Sequence, residues 1–330
     1  MATAEHIKAL LRSHAAGDDN LFRTVVLQIA SHEATKGNER LAMELRDLVD
    51  SAKRQHSGAR SRPIPIARPS GELAGLVVAT YPSMRLSDMV LADSVRARIN
   101  DVICQQRQRE LLRSHGLHPK RKLLLAGPPG TGKTLTASVL AGECDLPLLF
   151  VQLHALITRY MGETAAKLHV IFDAMTQTKG VYLFDEFDAI GATRTAGNDV
   201  GEIRRVLNSF LQFLERDDSD SIIIAATNFS EMLDDALFRR FDDVIEYDLP
   251  DVVLVRRLIE NRLTSFSLAD VIWEEVDVSA RGLSHAEVVR ACEDAARSAV
   301  LSGHREVTSE SLTSALSCRS GMRPSRRRKE

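Results

Sequence analysis

The 330-residue chain predicts an α/β protein: a parallel sheet covered by helices on both faces, preceded by a helical bundle and followed by a small all-helical lid. Three observations carry that expectation. Between about residues 73 and 248, short continuous apolar runs (LPLLFVQL at 146–153, VYLF at 181–184, SIIIAAT at 221–227) alternate with stretches of helical period. A strand that is apolar along its whole length is buried on both faces, as in a parallel sheet packed between helices. From Pro250 onward the pattern is helical only. Finally, a Gly-rich loop at residues 127–134 joins an apolar run (KLLLA, 122–126) to a helix-like stretch at 135–143.

Taken in order, residues 1–55 carry three amphipathic patterns. Ile7, Leu10 and Leu11 form the first, Leu21, Phe22, Val25, Val26 and Ile29 the second, and Leu41, Leu45, Leu48 and Val49 the third. Asp18 or Asp19 suits an N-cap and Gly37-Asn38 a break, so a three-helix bundle is expected, serving substrate, adaptor or partner docking. Residues 56–72 are rich in Ser, Gly, Arg and Pro and read as an extended, semi-rigid linker. Within 73–249, helices are expected at 163–178 and 199–215, the latter with Ile203, Val206, Leu207, Phe210, Leu211 and Leu214 inward. Residues 250–318 predict the lid, with helices at 252–266, 284–301 and 309–316 and Trp273 in its core. Residues 319–330 read as a basic disordered tail, a run more often solvated than a nucleic-acid grip.

Composition narrows the function classes. The chain is 44% hydrophobic and 27% charged with a formal charge of −2, so nothing draws it globally toward nucleic acid or anionic lipid. No segment approaches the about 20 apolar residues of a membrane span, and the first residues lack the apolar region of a secretory signal. The expected location is cytoplasmic. Cys104, Cys144, Cys292 and Cys318 are scattered, without metal-ligand spacing, and are expected as reduced thiols.

The chemistry begins at Gly127-Pro128-Pro129-Gly130-Thr131-Gly132-Lys133-Thr134, a complete G-x-x-x-x-G-K-[ST] phosphate-binding loop. Successive backbone N–H groups wrap a triphosphate and the new helix, entered through Leu135, adds its partial positive charge. Lys133 is expected to reach the β- and γ-phosphates of a nucleoside triphosphate and Thr134 to hold Mg²⁺. About 50 residues on, the strand VYLF ends in Asp185 and Glu186. Hydrolysis needs an acid that organises Mg²⁺ through its water shell and a base that polarises the attacking water, and the two acids fit those jobs in order. A further strand ends at Asn228, placed to orient the lytic water or simply to make a turn. Arg239 and Arg240 follow, either partners of a helix C-terminus or arginine fingers.

The order GPPGTGKT, LFDEFD, AATN, LDDALFRRFDD and YDLPD resembles that of the AAA+ ATPases, and the stretch from Asn228 to Asp242 is similar to the second region of homology that marks the AAA clade. The resemblance spans about residues 87–316. It implies a P-loop NTPase αβα domain over 73–249, a helical lid and a ring, usually a hexamer, with ATP at subunit interfaces. It carries Arg239 and Arg240 to the finger role. Many members separate these arginines by Pro-Gly, whereas here they are adjacent; Arg239 is favoured. Asp88 and Val90 lie in the segment whose backbone reads adenine. Ala286 lies in a turn, GLSHAE, that resembles the Gly-x-Ser-Gly-Ala-Asp turn packing on adenosine, with His285 in place of a Gly and read as packing. Tyr160, Met161 and Gly162 resemble the aromatic-hydrophobic-Gly pore loop of protein-translocating rings; the bland alternative is a hydrophobic loop packed on its own subunit. A second pore loop is expected at 191–198. Glu202, Arg204 and Arg205 suit either a relay between subunits or a solvated face.

The expected function is Mg-ATP-dependent remodelling, unfolding or translocation of a polypeptide through a homo-oligomeric pore, with an adaptor or a separate peptidase as partners, since no H-E-x-x-H occurs in the chain. The alternatives are an AAA+ loader or motor on nucleic acid, disfavoured by the near-neutral charge, and a nucleotide-dependent regulatory scaffold.

Overall fold

The computed structural model describes residues 69, 71–156, 161–187, 200–228, 238–304 and 306–321. The expected N-terminal bundle, nearly all of the linker, the second pore loop at 191–198 and the tail from residue 322 lie outside these residues.

Six strands form one sheet: β1 (Val77–Thr80), β2 (Lys122–Ala126), β3 (Leu148–Val151), β4 (Val181–Phe184), β5 (Ile222–Thr227) and β6 (Asp243–Glu246), in the order β1-β3-β4-β5-β2-β6. β2 to β6 run parallel, in accord with the continuous apolar runs. β1 departs from the expected parallel sheet: it pairs antiparallel with β3 at the edge, Val77 opposite Val151. Only part of it is covered, Val77 being buried and Val78 44% exposed, although its sequence, VVAT after Leu76, is as apolar as that of the inner strands.

The doubly covered sheet follows from side-chain alternation. Leu124 of β2, Tyr182 and Phe184 of β4, and Ile223 and Ala225 of β5 face one layer. There they pack on Leu168, Ile171, Phe172 and Met175 of α5 (Met161–Gln177) and on Phe210, Leu211 and Leu214 of α6 (Val200–Arg216). The intervening residues, Leu123, Leu125, Val181, Leu183, Ile222 and Ile224, face the opposite layer. That layer is built by Val95, Ile99, Val102 and Ile103 of α1 (Asp93–Arg107) and by Ala137, Val139, Leu140 and Ala141 of α3 (Lys133–Glu143). Two short helices, α2 (Arg109–Ser114) and α4 (Leu153–Leu156), are also found among the described residues here. Residues at every position of β4 and β5 are therefore buried.

A third core belongs to α7 (Val252–Arg262), α8 (Trp273–Ala280), α9 (His285–Leu301) and α10 (Ser309–Gly321). Val255, Ile259, Val276, Val288, Ala291, Ala295, Leu312 and Leu316 fill it, with Trp273 packed at its margin. Asp251 caps α7 by accepting from the Leu254 N–H at 2.8 Å. The sequence reading has three helices here. The fourth, α8, is short and opens with two acids, Glu274 and Glu275, which blunt its apolar stripe. The guanidinium of Arg256 lies 5.6 Å from the Trp273 ring centroid and pairs with Asp277, tying α7 to α8.

Candidate nucleotide site

The site lies where β2, β5 and β4, adjacent in the sheet, end on the same side. In an open α/β sheet this carboxyl edge is the ligand crevice. β2 ends at Ala126, whose carbonyl accepts from Tyr247 N at 2.8 Å, and Gly127 N donates to Thr227 O at 3.2 Å. The loop thus leaves the sheet pinned on both sides. At Gly127 the backbone has φ +147°, and a Cβ there would stand 2.2 Å from the Tyr247 carbonyl oxygen, so only glycine fits. Beneath the loop the Thr136 hydroxyl bonds both Gly132 O, at 3.1 Å, and the buried Tyr247 hydroxyl, at 2.6 Å. Thr131 folds back onto Pro128 O at 2.8 Å.

Lys133 opens α3 and is buried; its Nζ donates to Gly127 O at 2.7 Å and Pro128 O at 2.8 Å. A cation is therefore held inside the ring of the loop, and no acidic residue occupies the first turn of α3 to repel an anion. The adjacent Thr134 hydroxyl donates to Asp185 Oδ2 at 2.7 Å, joining loop to strand end across 51 residues. Asp185 Oδ1 accepts from Glu186 N at 2.9 Å. Glu186 has φ +52°, a left-handed conformation that non-glycine residues seldom adopt. It is held there because Phe187, fully buried, drives the chain back into the core and donates its N–H to Ala226 O at 2.8 Å. Asn228 directly follows β5 in the same edge. A hydroxyl and a carboxylate in contact suit a hard divalent ion that takes its remaining ligands from phosphate and water; among the described residues no group of three or more His, Cys, Asp or Glu offers a complete protein cage.

The helical segment touches the loop directly. Ala286 N donates to Gly130 O at 3.0 Å, and a Cβ on Gly130 would stand 2.7 Å from Ser284 Oγ and 3.1 Å from the Ala286 methyl. Ser284 caps α9 in a reciprocal box with Glu287. On the other side, Asp88 closes a single turn, accepting from Arg85 N at 2.8 Å, and the chain then buries Met89 against the sheet layer and packs Val90 against the helical core. Leu135 is 48% exposed, an apolar surface next to the loop. Arg239 is exposed and makes no ion pair with a described residue, whereas Arg240 pairs with Glu215 of α6. Tyr160 lies outside the described residues, as do the side chains of Met161, Gly162, Glu202, Arg204 and Arg205. The backbone of Met161 and Gly162 forms the first turn of α5, which opens two residues before the expected Glu163.

A family model described as "ATPase family associated with various cellular activities (AAA)" matches residues 123–249. The AAA family ATPase y4kL of Sinorhizobium fredii is 34% identical over 319 residues, 96% of this chain and 95% of that protein. The chain belongs to the AAA family of ATPases. As an AAA ATPase it binds and hydrolyses ATP. It is also similar to the ATP-dependent zinc metalloprotease FtsH of Helicobacter pylori, at 31% identity over 256 residues, 74% of this chain and 40% of that protein. To the proteasome-activating nucleotidase of Saccharolobus solfataricus it is 35% identical over 218 residues, 63% of this chain and 55% of that protein. The AAA ATPase therefore spans less than two thirds of either of these two relatives. Among its described residues no helix is long and apolar enough to cross a membrane.

Two supports of the ATPase site are not expected from the sequence, Tyr247 and Thr136, while Ser284 belongs to the GLSHAE turn already read from it. Tyr247 and Thr136 are 111 residues apart, and neither carries a motif residue of the phosphate loop. The signal available for Tyr247 is its place at the head of YDLPD, directly after a strand.

Proposed function

We propose that this AAA ATPase couples Mg-ATP hydrolysis to the remodelling, unfolding or translocation of polypeptide by a ring of identical subunits. The observation that carries the catalytic part is the Thr134–Asp185 contact, 2.7 Å, with Glu186 held in a left-handed turn beside it. In this reading the loop N–H groups of residues 127–134 and Lys133 bind the phosphates. Lys133 exchanges its hold on the Gly127 and Pro128 carbonyls for the β- and γ-phosphates. Thr134 and, through water, Asp185 hold Mg²⁺, which neutralises charge that develops on the phosphate oxygens. Glu186 polarises the attacking water and Asn228 orients it. Asp88, Val90, Leu135 and Ala286 frame the adenosine. Arg239, exposed and unpaired by described residues, reaches the γ-phosphate of a neighbouring subunit, while Arg240 is engaged with Glu215.

The polypeptide substrate rests on the similarity to FtsH and the proteasome-activating nucleotidase and on the Tyr160-Met161-Gly162 sequence, an aromatic ring and a thioether that grip chain without demanding a sequence. The segment 1–55 selects substrate or adaptor, 73–249 and 250–318 act as nucleotide domain and lid, and a separate peptidase is a fitting partner; a cytoplasmic location accords with these roles. The test is a pull-down with Glu186→Gln in the presence of ATP. Glu186→Gln is expected to retain ATP while turning over at least ~100-fold more slowly, the scale of a lost general base. Captured polypeptide supports the reading; captured nucleic acid, or unchanged turnover, refutes it. Tyr160→Ala is expected to keep ATPase activity and lose substrate unfolding.

A further inference from the structure

Helices α8 and α10 start side by side, Ile272 N donating to the Ser309 hydroxyl. Between them runs an open groove of about 610 Å³. Val278 of α8, 71% exposed, and Ser314 and Ser317 of α10 line its length, and Glu274, Glu275 and Glu310 stand at the end where both helices begin. All three acids are exposed, and none makes an ion pair with a described residue. A single acid in a first turn is accounted for by the helix dipole. Three of them, gathered from two helices beside an exposed valine, make a cleft that suits cations carried on methylene stems.

We propose that the groove holds the basic segment 322–329 of this same chain, with Arg326, Arg327 and Arg328 against Glu274, Glu275 and Glu310. Gly321, the last residue of α10, follows Glu310, Ser314 and Ser317 at steps of four, three and four, so the chain leaves the helix on the stripe that faces the groove. A Cβ on Gly321 would meet nothing within 4 Å, so the path is open. Arg319 turns instead to Asp294 of α9 and leaves the groove acids unpaired. Back along α10 from Gly321 to Glu310 is 11 residues (321 − 310), about 16 Å at the helical rise. An extended chain covers that in about five residues, and five beyond Gly321 (326 − 321) stands Arg326. The three arginines thus draw level with the three acids, their stems over Val278 and their guanidinium heads on the carboxylates. Because the segment is tethered to α10, it meets the groove at high effective concentration. Held there, its cations are withheld from anionic polymers such as nucleic acid.

The full-length protein is digested with trypsin at low and high salt, and cleavage within residues 326–329 is followed by mass spectrometry. In a parallel experiment a carbodiimide couples the Lys329 amine to carboxylates within reach. An exposed ion pair is worth about a factor of two in an equilibrium, so three give about eightfold protection. Wild type is expected to be cut about eightfold more slowly at low salt than Glu274→Gln/Glu275→Gln/Glu310→Gln, and the difference is expected to vanish at about 1 M salt, where exposed charges are screened. Lys329 is expected to couple to Glu274, Glu275 or Glu310 of its own chain. Arg326→Gln/Arg327→Gln/Arg328→Gln alters no described residue and is expected to lose most of that coupling, so the test does not depend on the groove variant folding. Equal cleavage of wild type and a folded groove variant, or coupling of Lys329 to carboxylates elsewhere, overturns the proposal. In a mixture of isotope-labelled and unlabelled protein, links found only between labelled and unlabelled chains show that a second copy fills the groove. Protection that arises only when single-stranded DNA is added shows a nucleic-acid grip. Either result overturns the proposal as well.

Discussion

Removing one hydroxyl at a time from the Thr136–Tyr247 pair should have unequal effects. The two hydroxyls are 2.6 Å apart in a fully buried setting, Thr136 being 0% and Tyr247 3% exposed. Burial also pushes the Tyr247 phenol well above its ordinary pKa, so it remains a neutral donor. Thr136 has a second partner, Gly132 O at 3.1 Å, and that carbonyl also accepts from Thr136 N at 2.9 Å. In Tyr247→Phe the threonine hydroxyl still donates to Gly132 O, and the expected cost is that of one neutral hydrogen bond, about 1 kcal/mol. In Thr136→Val the shape is kept and Gly132 O remains bonded by the backbone, but the tyrosine hydroxyl is stranded in the core, at about 1–3 kcal/mol. The double variant strands nothing, so it should be more stable than Thr136→Val alone and the two effects should fail to add. Urea midpoints for the four proteins measure this cycle. Additive costs, or Tyr247→Phe as the more harmful change, would refute the reasoning. Since the pair sits under Gly132, nucleotide affinity should fall in the same order as stability.

Other perturbations test neighbouring parts. Gly127→Ala sets a methyl 2.2 Å from the Tyr247 carbonyl oxygen, a backbone atom that cannot swing aside, and should cost more than the about 1 kcal/mol of an ordinary glycine substitution and weaken ATP binding; a variant with wild-type midpoint and affinity would show that β2 and β6 move apart freely. Arg239→Ala subunits mixed with Glu186→Gln subunits should regain part of the lost hydrolysis, whereas Arg240→Ala subunits, which lose the Glu215 pair, should lose stability first; no rescue at any ratio would count against a site shared between subunits. The unfolded chain binds a proton at His285 more readily than the folded one, whose pKa is depressed, so stability is fully present above the unfolded value near 6.5 and declines as pH falls below it. Urea midpoints between pH 8 and 5.5 should therefore fall more steeply for wild type than for His285→Phe, and parallel curves would show that His285 does not contribute.

Legibility in the sequence followed burial. β4 stands where its apolar run predicts, and β5 begins one residue inside its own, because strands buried on both faces have no polar positions to confuse the pattern. β6 is opaque: two of its four residues are acidic, and Asp243 is buried only because Arg98 and Lys120 pair with it across the fold. β1, at the partly exposed edge, carries a short apolar run, LVVA at 76–79, that the sequence reading assigns to no strand. At the site, the phosphate loop and the Asp185-Glu186 pair are contiguous and therefore visible. The left-handed turn at Glu186 is not, since it is imposed by the burial of Phe187 and its bond to Ala226. Likewise Gly130 needs to be glycine because Ser284, 154 positions on in the chain (284 − 130), rests against it.

The bond from Ala286 N to Gly130 O joins the helical segment to the loop that would cradle the phosphates. Linkage makes such a joint symmetrical: the factor by which bound nucleotide tightens it is the factor by which tightening it improves the hold on nucleotide. Tension applied to α9 from outside is then felt as a change in nucleotide residence. A pull sufficient to cancel one hydrogen bond, about 1 kcal/mol, corresponds to roughly a fivefold change in affinity. If the protein works on polypeptide as proposed, its affinity for nucleotide would thus depend on the load carried by α9.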